Sequence, residues 1–186
     1  MFNNFRTARE REEKYQQELT RVKQASSTDP LTGVKNKHAY VQWEERINSE
    51  IDAGVCSPFA VVVCDVNDLK RINDTMGHKA GDEVIREACI TICKTFKHSP
   101  VFRTGGDEFV IILMGEDYES RQELTDAVTT QSEERIRNGQ YAIAIGAADY
   151  VSGKHLSMLE VFEVADKAMY VHKRHLKDVW YRPDYY

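Results

Sequence analysis

The sequence predicts an α/β (α+β) fold: helices packed on a sheet with an antiparallel component. Three observations predict it. The run "FAVVVCDV" at 59–66 is apolar and β-branched throughout, as a central strand buried on both faces should be. The stretches "VFRT" and "EFVIIL" flank Gly105-Gly106, and a Gly-Gly link predicts a hairpin closed by a type I′ turn with positive φ at both glycines. Helical and extended patterns then follow in the order strand, helix, hairpin, helix, strand, helix, which is the order of an α/β sandwich with a mixed sheet flanked by helices.

Each element has its own signal. Residues 1–25 are charged and free of Gly and Pro, and Phe5, Ala8, Glu12, Tyr15, Leu19 and Val22 step by three and four. A weak parallel coiled coil or signalling helix and a lone solvated helix fit this seam equally. "SSTDPLTG" at 26–33 breaks it with Pro30 and Gly33. An amphipathic helix follows at 36–51, with Tyr40, Trp43, Ile47 and Ile51 on one face. After the central strand and a short helical piece, Ile85, Ala88, Cys89, Ile92 and Phe96 recur at helical spacing. Beyond the hairpin, one long polar helix is predicted over 117–138, and a strand in "YAIAIGAADY" at 141–150. The closing helix presents Leu159, Phe162, Ala165, Met169 and Tyr170 as its apolar side, and 179–186 reads as a tail.

Bulk properties narrow the function. A chain of 186 residues with 41% hydrophobic residues holds one domain with a core plus a helical extension. The net charge of -5 argues against nucleic acid as a partner, because such binders carry a basic face. An anionic substrate therefore needs local Lys, Arg or a metal ion. Cys56, Cys64, Cys89 and Cys93 form no CxxC pair and read as reduced core thiols of a cytoplasmic protein. No run has the length of a membrane span and the N-terminus is no signal peptide, so no membrane contact is expected from this segment, whatever anchors a longer parent.

The chemistry concentrates in acids. Asp65 ends the hydrophobic strand, and Asp107 and Glu108 follow the hairpin glycines. If the strand pairs beside the hairpin, these carboxylates meet at one sheet edge and repel each other unless a cation lies between them. Hard oxygen ligands favour Mg²⁺, which takes one or two carboxylates and leaves room for phosphate oxygens. Taken alone, Asp107-Glu108 is more simply an exposed turn; joined to Asp65, a metal site becomes its equal. The stretch "DVNDLKRINDTMGHKAGD" at 65–82 leaves the strand and starts a helix, the geometry that cradles phosphate. Lys70 there supplies a mobile positive charge, and Asn73 with Asp82 can read a guanine edge. The plainer readings stay open residue by residue: Asp82 as a helix cap, Asn73 as a turn residue, His78 as a surface imidazole.

Taken together these motifs resemble the GGDEF domain, the diguanylate cyclase family. The likeness covers 26–178: "DPLTG" at 29–33, Asn36-Lys37, the Asp65-to-Asp82 stretch, "GGDEF" at 105–109 and "ADKAMYVHK" at 165–173. It implies a palm-like, ferredoxin-like sandwich and a domain that condenses two GTP into cyclic di-GMP across a homodimer. It implies Mg²⁺, with Mn²⁺ as a substitute, held by Asp65, the Val66 carbonyl and Asp107. Asp107, Glu108 and Lys70 take the catalytic positions. Asn73, His78, Asp82, Asp68, Leu69, Lys173 and Lys177 take substrate positions, with Asn73 and Asp82 on the guanine.

Departures from the family pattern carry expectations of their own. Asn67 replaces the second Asp of the common D-x-D, a residue that is not a metal ligand in the family. Asp68 and Leu69 stand where aromatics are frequent, and Lys177 where an arginine is usual, which implies weaker triphosphate binding. The inhibitory product site requires R-x-x-D upstream of the signature; those positions hold Phe96 and Ser99, so no such site is expected. Two rivals remain. One is a catalytically silent GTP- or partner-binding module, and the other a cyclase of mixed purine dinucleotides, which Asp82 argues against.

Overall fold

The structure is a computed structural model that describes residues 27–180. The expected N-terminal seam at Phe5 to Val22 lies outside the described residues. The chain runs β1 (Lys35–Asn36), α1 (Lys37–Asp52), β2 (Ala60–Val66), α2 (Leu69–Met76), α3 (His78–Thr95), β3 (Val101–Arg103) and β4 (Glu108–Leu113). It continues through α4 (Gly115–Glu119), α5 (Arg121–Arg137), β5 (Ile143–Asp149) and α6 (Met158–Trp180). The five strands form one mixed sheet in the order β1-β3-β4-β2-β5, with β1 parallel to β3 and the other neighbours antiparallel.

Strand β2 is buried along its whole length, which is why its sequence shows no alternation. Its residues still alternate between two cores. Val61 and Val63 face Ile47 of α1 and Val161, Ala165 and Met169 of α6. Val62, Cys64 and Val66 face Ile85, Ala88 and Ile92 of α3 and Val128 of α5. The sheet is thus covered by helices on both faces, the α+β sandwich that the sequence predicts.

Three local expectations are corrected. The hairpin link is not a two-residue type I′ turn. It spans residues 104–107, and neither Gly105 nor Gly106 has a positive φ. The loop is closed instead by the N–H groups of Thr104 and Gly105, which both donate to the Glu108 carbonyl at 3.1 and 3.5 Å. The single helix expected over 117–138 is two helices that break at Ser120 (φ -95, ψ 10). The next residue, Arg121, forks onto Asp149 at the end of β5, with bonds of 2.7 and 3.0 Å, and so fixes a new axis for α5. In α6 the apolar side is rotated: Leu159 and Tyr170 are exposed, while Met158, Val161, Ala165, Met169 and Leu176 are buried. Contact between α6 and β5 decides that rotation. A Cβ on Gly146 would collide with the backbone of Ala165 and Met169, so the helix seats on a glycine notch in the strand.

Candidate functional site

The register of the sheet builds the site. Asp65 of β2 pairs directly with Glu108 of β4, and the Val66 N–H donates to the Asp107 carbonyl at 3.0 Å. One antiparallel ladder therefore brings Asp65, Val66, Asp107 and Glu108 to the same edge. Asp65 falls in step with Val61 and Val63, so its side chain lies on the α6 face, where Lys173 Nζ reaches Asp65 Oδ1 at 2.6 Å.

These acids are held against their preference. Burial pushes the Asp65 carboxyl above the usual range; Lys173 opposes the shift, Asp107 adds to it and Lys177 opposes it. Glu108 is also raised, first by burial, then by the charges of Asp166, Asp65 and Asp107, with Thr104 working the other way. Such a knot of negative charge favours a bound cation. Among the described residues no three His, Cys, Asp or Glu side chains already close on one ion. The positive charge now against Asp65 is an ammonium. The carboxylate oxygens of Asp65 and Asp107 are hard donors of the kind that could hold a divalent cation.

The signature loop is clamped from a distance. Arg103 donates through Nε and Nη2 to the Gly106 carbonyl at 3.3 and 2.7 Å. Its Nη1 donates to both Asp29 oxygens at 3.0 and 3.2 Å. Asp29 Oδ1 also accepts from the Thr32 N–H and hydroxyl at 2.9 and 2.6 Å. Burial pulls the Asp29 carboxyl upward, but the bonds from Thr32 and Arg103 outweigh it and leave the group below its ordinary value. A Cβ at Gly105 would come within 3.1 Å of Glu108 Oε2, so a larger residue there would press on that carboxylate.

The second group of expected residues lies on α2 and α3. Asp68 precedes α2 at φ 60 and ψ 19, the one non-glycine residue with positive φ among the described residues. An αL residue here ends the strand exit and sets the first N–H groups of α2, from Leu69 and Lys70, at a helix N-terminus that suits phosphate. Asn73 packs against Gly81, where any Cβ would collide with its carboxamide. Lys70, His78 and Asp82 are exposed, and no ion pair or side-chain hydrogen bond engages them. Lys177 is exposed on α6, one turn beyond Lys173. The structure thus joins Asp65, Val66, Asp107, Glu108 and Lys173 in one cluster and sets Asn73 and Asp82 along the α2–α3 pair.

The comparisons with known proteins now decide the family. The model of the family described as diguanylate cyclase, GGDEF domain, matches residues 26–178. The chain belongs to the GGDEF domain family. Among its relatives is the diguanylate cyclase DosC of Escherichia coli K12, 34% identical in an alignment of 133 positions that covers 63% of this chain and 27% of DosC. Another is the cyclic di-GMP phosphodiesterase PdeR of the same organism, 28% identical in an alignment of 168 positions that covers 87% of this chain and 24% of PdeR. The chain thus spans about a quarter of the length of either relative. Among solved structures it is similar to the coiled coil and GGDEF domain of DgcB from Caulobacter crescentus in complex with c-di-GMP. The TM-score is 0.72 at 26% identity, covering 92% of this chain and 93% of that one.

Some residues of this GGDEF domain's site escape sequence reasoning. Asp166 of α6 bears on Glu108. Its signal was present, since it precedes Lys173 by seven residues and two helical turns return it to the same face. The Asp29–Arg103 clamp has no local signal, because 74 residues separate its partners.

Proposed function

We propose that this GGDEF domain is a diguanylate cyclase that condenses two GTP into cyclic di-GMP and two pyrophosphates. The observation that carries this reading is the β2–β4 ladder, which sets Asp65 against Glu108 and Val66 against Asp107 with Lys173 alongside. Two domains, each holding one GTP, face each other, and each 3′-hydroxyl attacks the α-phosphate of the other nucleotide. Asp65, Asp107 and the Val66 carbonyl would hold Mg²⁺, or Mn²⁺ in its place. That ion supplies charge neutralisation at the phosphates. The chain's own residues do the rest. Lys70, the N–H groups of Leu69 and Lys70, Lys173 and Lys177 bind the triphosphate. Asn73 and Asp82 orient the guanine, with His78 beside them, and Glu108 holds negative charge next to the reacting hydroxyl. Catalysis is then mostly positioning and electrostatics.

The test is incubation of the purified chain with GTP and Mg²⁺, followed by chromatography of products. Cyclic di-GMP and pyrophosphate in a 1:2 ratio are expected. Unchanged GTP at every enzyme concentration would leave the second reading, a catalytically silent GTP- or partner-binding module. The likeness to PdeR, a protein named for a different activity, favours that rival. We place the domain in the cytoplasm; no helix among the described residues is long and apolar enough to cross a membrane.

A further inference from the structure

Lys173 stands where two demands meet. Its Nζ lies 2.6 Å from Asp65 Oδ1, and the two side chains are 26% and 12% exposed. The contact is an ion pair without a hydrogen bond, because Oδ1 is buried and no donor meets it in hydrogen-bonding alignment. A charged, buried oxygen without an aligned donor keeps its affinity for a cation. Asp65 also feels Asp107, and Glu108 across the β2–β4 ladder feels Asp166, Asp65 and Asp107. The ammonium groups of Lys173 and Lys177 set against these four carboxylates leave the edge net negative.

The backbone of Lys173 is fixed by packing. Met169, one turn before it, is 7% exposed, Leu176 after it is fully buried, and α6 sits on the Gly146 notch. The four-carbon stem is what can move, and it carries the ammonium about a fixed Cα. Two cations drawn to one carboxylate oxygen repel strongly where water is partly excluded. A divalent cation at Asp65 therefore expels the ammonium. A nucleoside triphosphate supplies the alternative partner, since its phosphate oxygens accept charge-assisted bonds from an ammonium.

We propose that Lys173 is a placeholder: it neutralises Asp65 while the edge holds no divalent cation, yields Asp65 to that cation, and passes to the phosphates of the nucleotide. Lys173 thereby couples the two binding events, and each makes the other more favourable, as linkage requires. Lys177, exposed and one turn further on, serves the phosphates without holding Asp65. The inference rests on the function proposed above only for placing a divalent cation at Asp65 and a triphosphate beside it. It needs no turnover, so it holds equally for a silent GTP-binding domain.

The test is Mn²⁺ binding to the full chain without nucleotide, read from the electron paramagnetic resonance of the free ion. Lys173→Met keeps the stem and removes the charge, and Lys177→Met removes one charge from the same helix as a control. Lys173→Met should bind Mn²⁺ about tenfold more tightly than the native chain, because no ammonium competes. Lys177→Met should shift that affinity by less than about twofold, because an exposed charge is screened. With Mn²⁺ present, Lys173→Met should bind a GTP analogue inert at the α-phosphate more weakly than the native chain does. One substitution then moves two affinities in opposite directions, whereas a merely structural role would weaken both. Equal tightening of Mn²⁺ in the two variants would reduce the effect to net charge and overturn the placeholder, as would unchanged or weaker Mn²⁺ binding in Lys173→Met. Should Lys173→Met fail to fold, brief acetylation of the native chain with acetic anhydride, read by peptide mass spectrometry, decides. Lys173 should react faster relative to Lys177 once Mn²⁺ is added, and slower again when the analogue follows; a constant ratio overturns the proposal. A chain that makes cyclic di-GMP but shows none of these changes loses the placeholder and keeps the cyclase, and one that binds no Mn²⁺ and makes no product loses both.

Discussion

Strand β3 is flanked by two loops built on opposite plans. The signature loop at 104–107 leads into charge that the fold makes uncomfortable: Glu108 at the start of β4 and Asp65 paired with it on β2 are raised by burial and by neighbouring carboxylates. The loop at 96–100, which leads into β3, is built for comfort. Phe96 is 1% exposed in the core beside α3, and the buried carboxylate of Asp117 accepts the His98 N–H at 2.9 Å. One loop keeps strain for use and the other gives up polarity for packing. Stored electrostatic cost at a sheet edge marks chemistry, while a filled loop at the corresponding bend marks structure.

The largest expected effect comes from removing the charge. Asp65→Ala and Asp107→Ala should each lower turnover by about 10³-fold or more, since either takes away half of the carboxylate set that holds the cation. Mg²⁺-dependent nucleotide binding should disappear with it, while circular dichroism stays that of the native fold. Cyclic di-GMP synthesis at the native rate by either variant would show that the edge is strained for another reason.

Next is the clamp that holds the signature loop. The Arg103 and Asp29 side chains are 14% and 17% exposed. Arg103→Ala should cost about 2 kcal/mol, below the figure for a fully buried pair because water reaches this one. Turnover should fall as well, because the Gly106 carbonyl loses both its donors. The sign with pH follows from Asp29, whose carboxyl lies below its ordinary value in the fold. The unfolded chain takes up the proton first, so the stabilisation is present above the ordinary carboxylate range and is lost as pH falls through the lowered value. Denaturant midpoints of native chain and variant should converge in acid; a constant gap would mean that Arg103 acts through packing alone.

How much of this was legible in the sequence depended on distance along the chain. β2, the amphipathic faces of α1 and α3, and the arrival of Asp65 and Asp107 at one edge were readable, because local periodicity and one strand pairing determine them. The rotation of α6 was not. Leu159 and Tyr170 fit the helical period as well as Met158 and Val161 do, and the choice is made by Gly146 on another element. The width of the hairpin link was missed for a related reason. Glycines permit a type I′ turn but do not require it, and Arg103 and Glu108 hold the longer loop.

A smaller effect separates strain from fold. Glu108→Gln removes one charge from the cluster and should abolish turnover while raising stability at neutral pH. The gain should stay below about 1 kcal/mol, since the group is partly exposed and water screens it. Here the sign is opposite to that of Asp29. The folded state holds the proton more tightly than the unfolded one, so native stability is lost as pH rises from the ordinary carboxylate value through the raised one. The melting advantage of the variant should therefore be absent in acid and appear toward neutrality. A variant less stable than the native chain at pH 7 would show that Glu108 is a structural acid and not a strained one.

The smallest expected effect is none at all. The filled loop predicts that micromolar cyclic di-GMP leaves the initial rate of the native chain unchanged. Arginine recognises phosphate and guanine through a planar fork of donors, and Phe96 has no donor while Ser99 has a single hydroxyl. Lys97 lies between them, but an ammonium lacks the fork. Nor can the site be restored cheaply. Phe96 lies in one buried apolar cluster with Ile92 and Val101, so Phe96→Arg buries an unpaired charge there, a loss of about 3–5 kcal/mol that should unfold the chain before it creates inhibition. Control would then rest on encounter between domains. Two must meet for each turnover, so specific activity should rise with protein concentration over a range where sedimentation shows monomer and dimer in exchange. Non-competitive inhibition by product at micromolar concentration would break the contrast between the two loops, because the loop at 96–100 would then be a ligand site that its packing conceals.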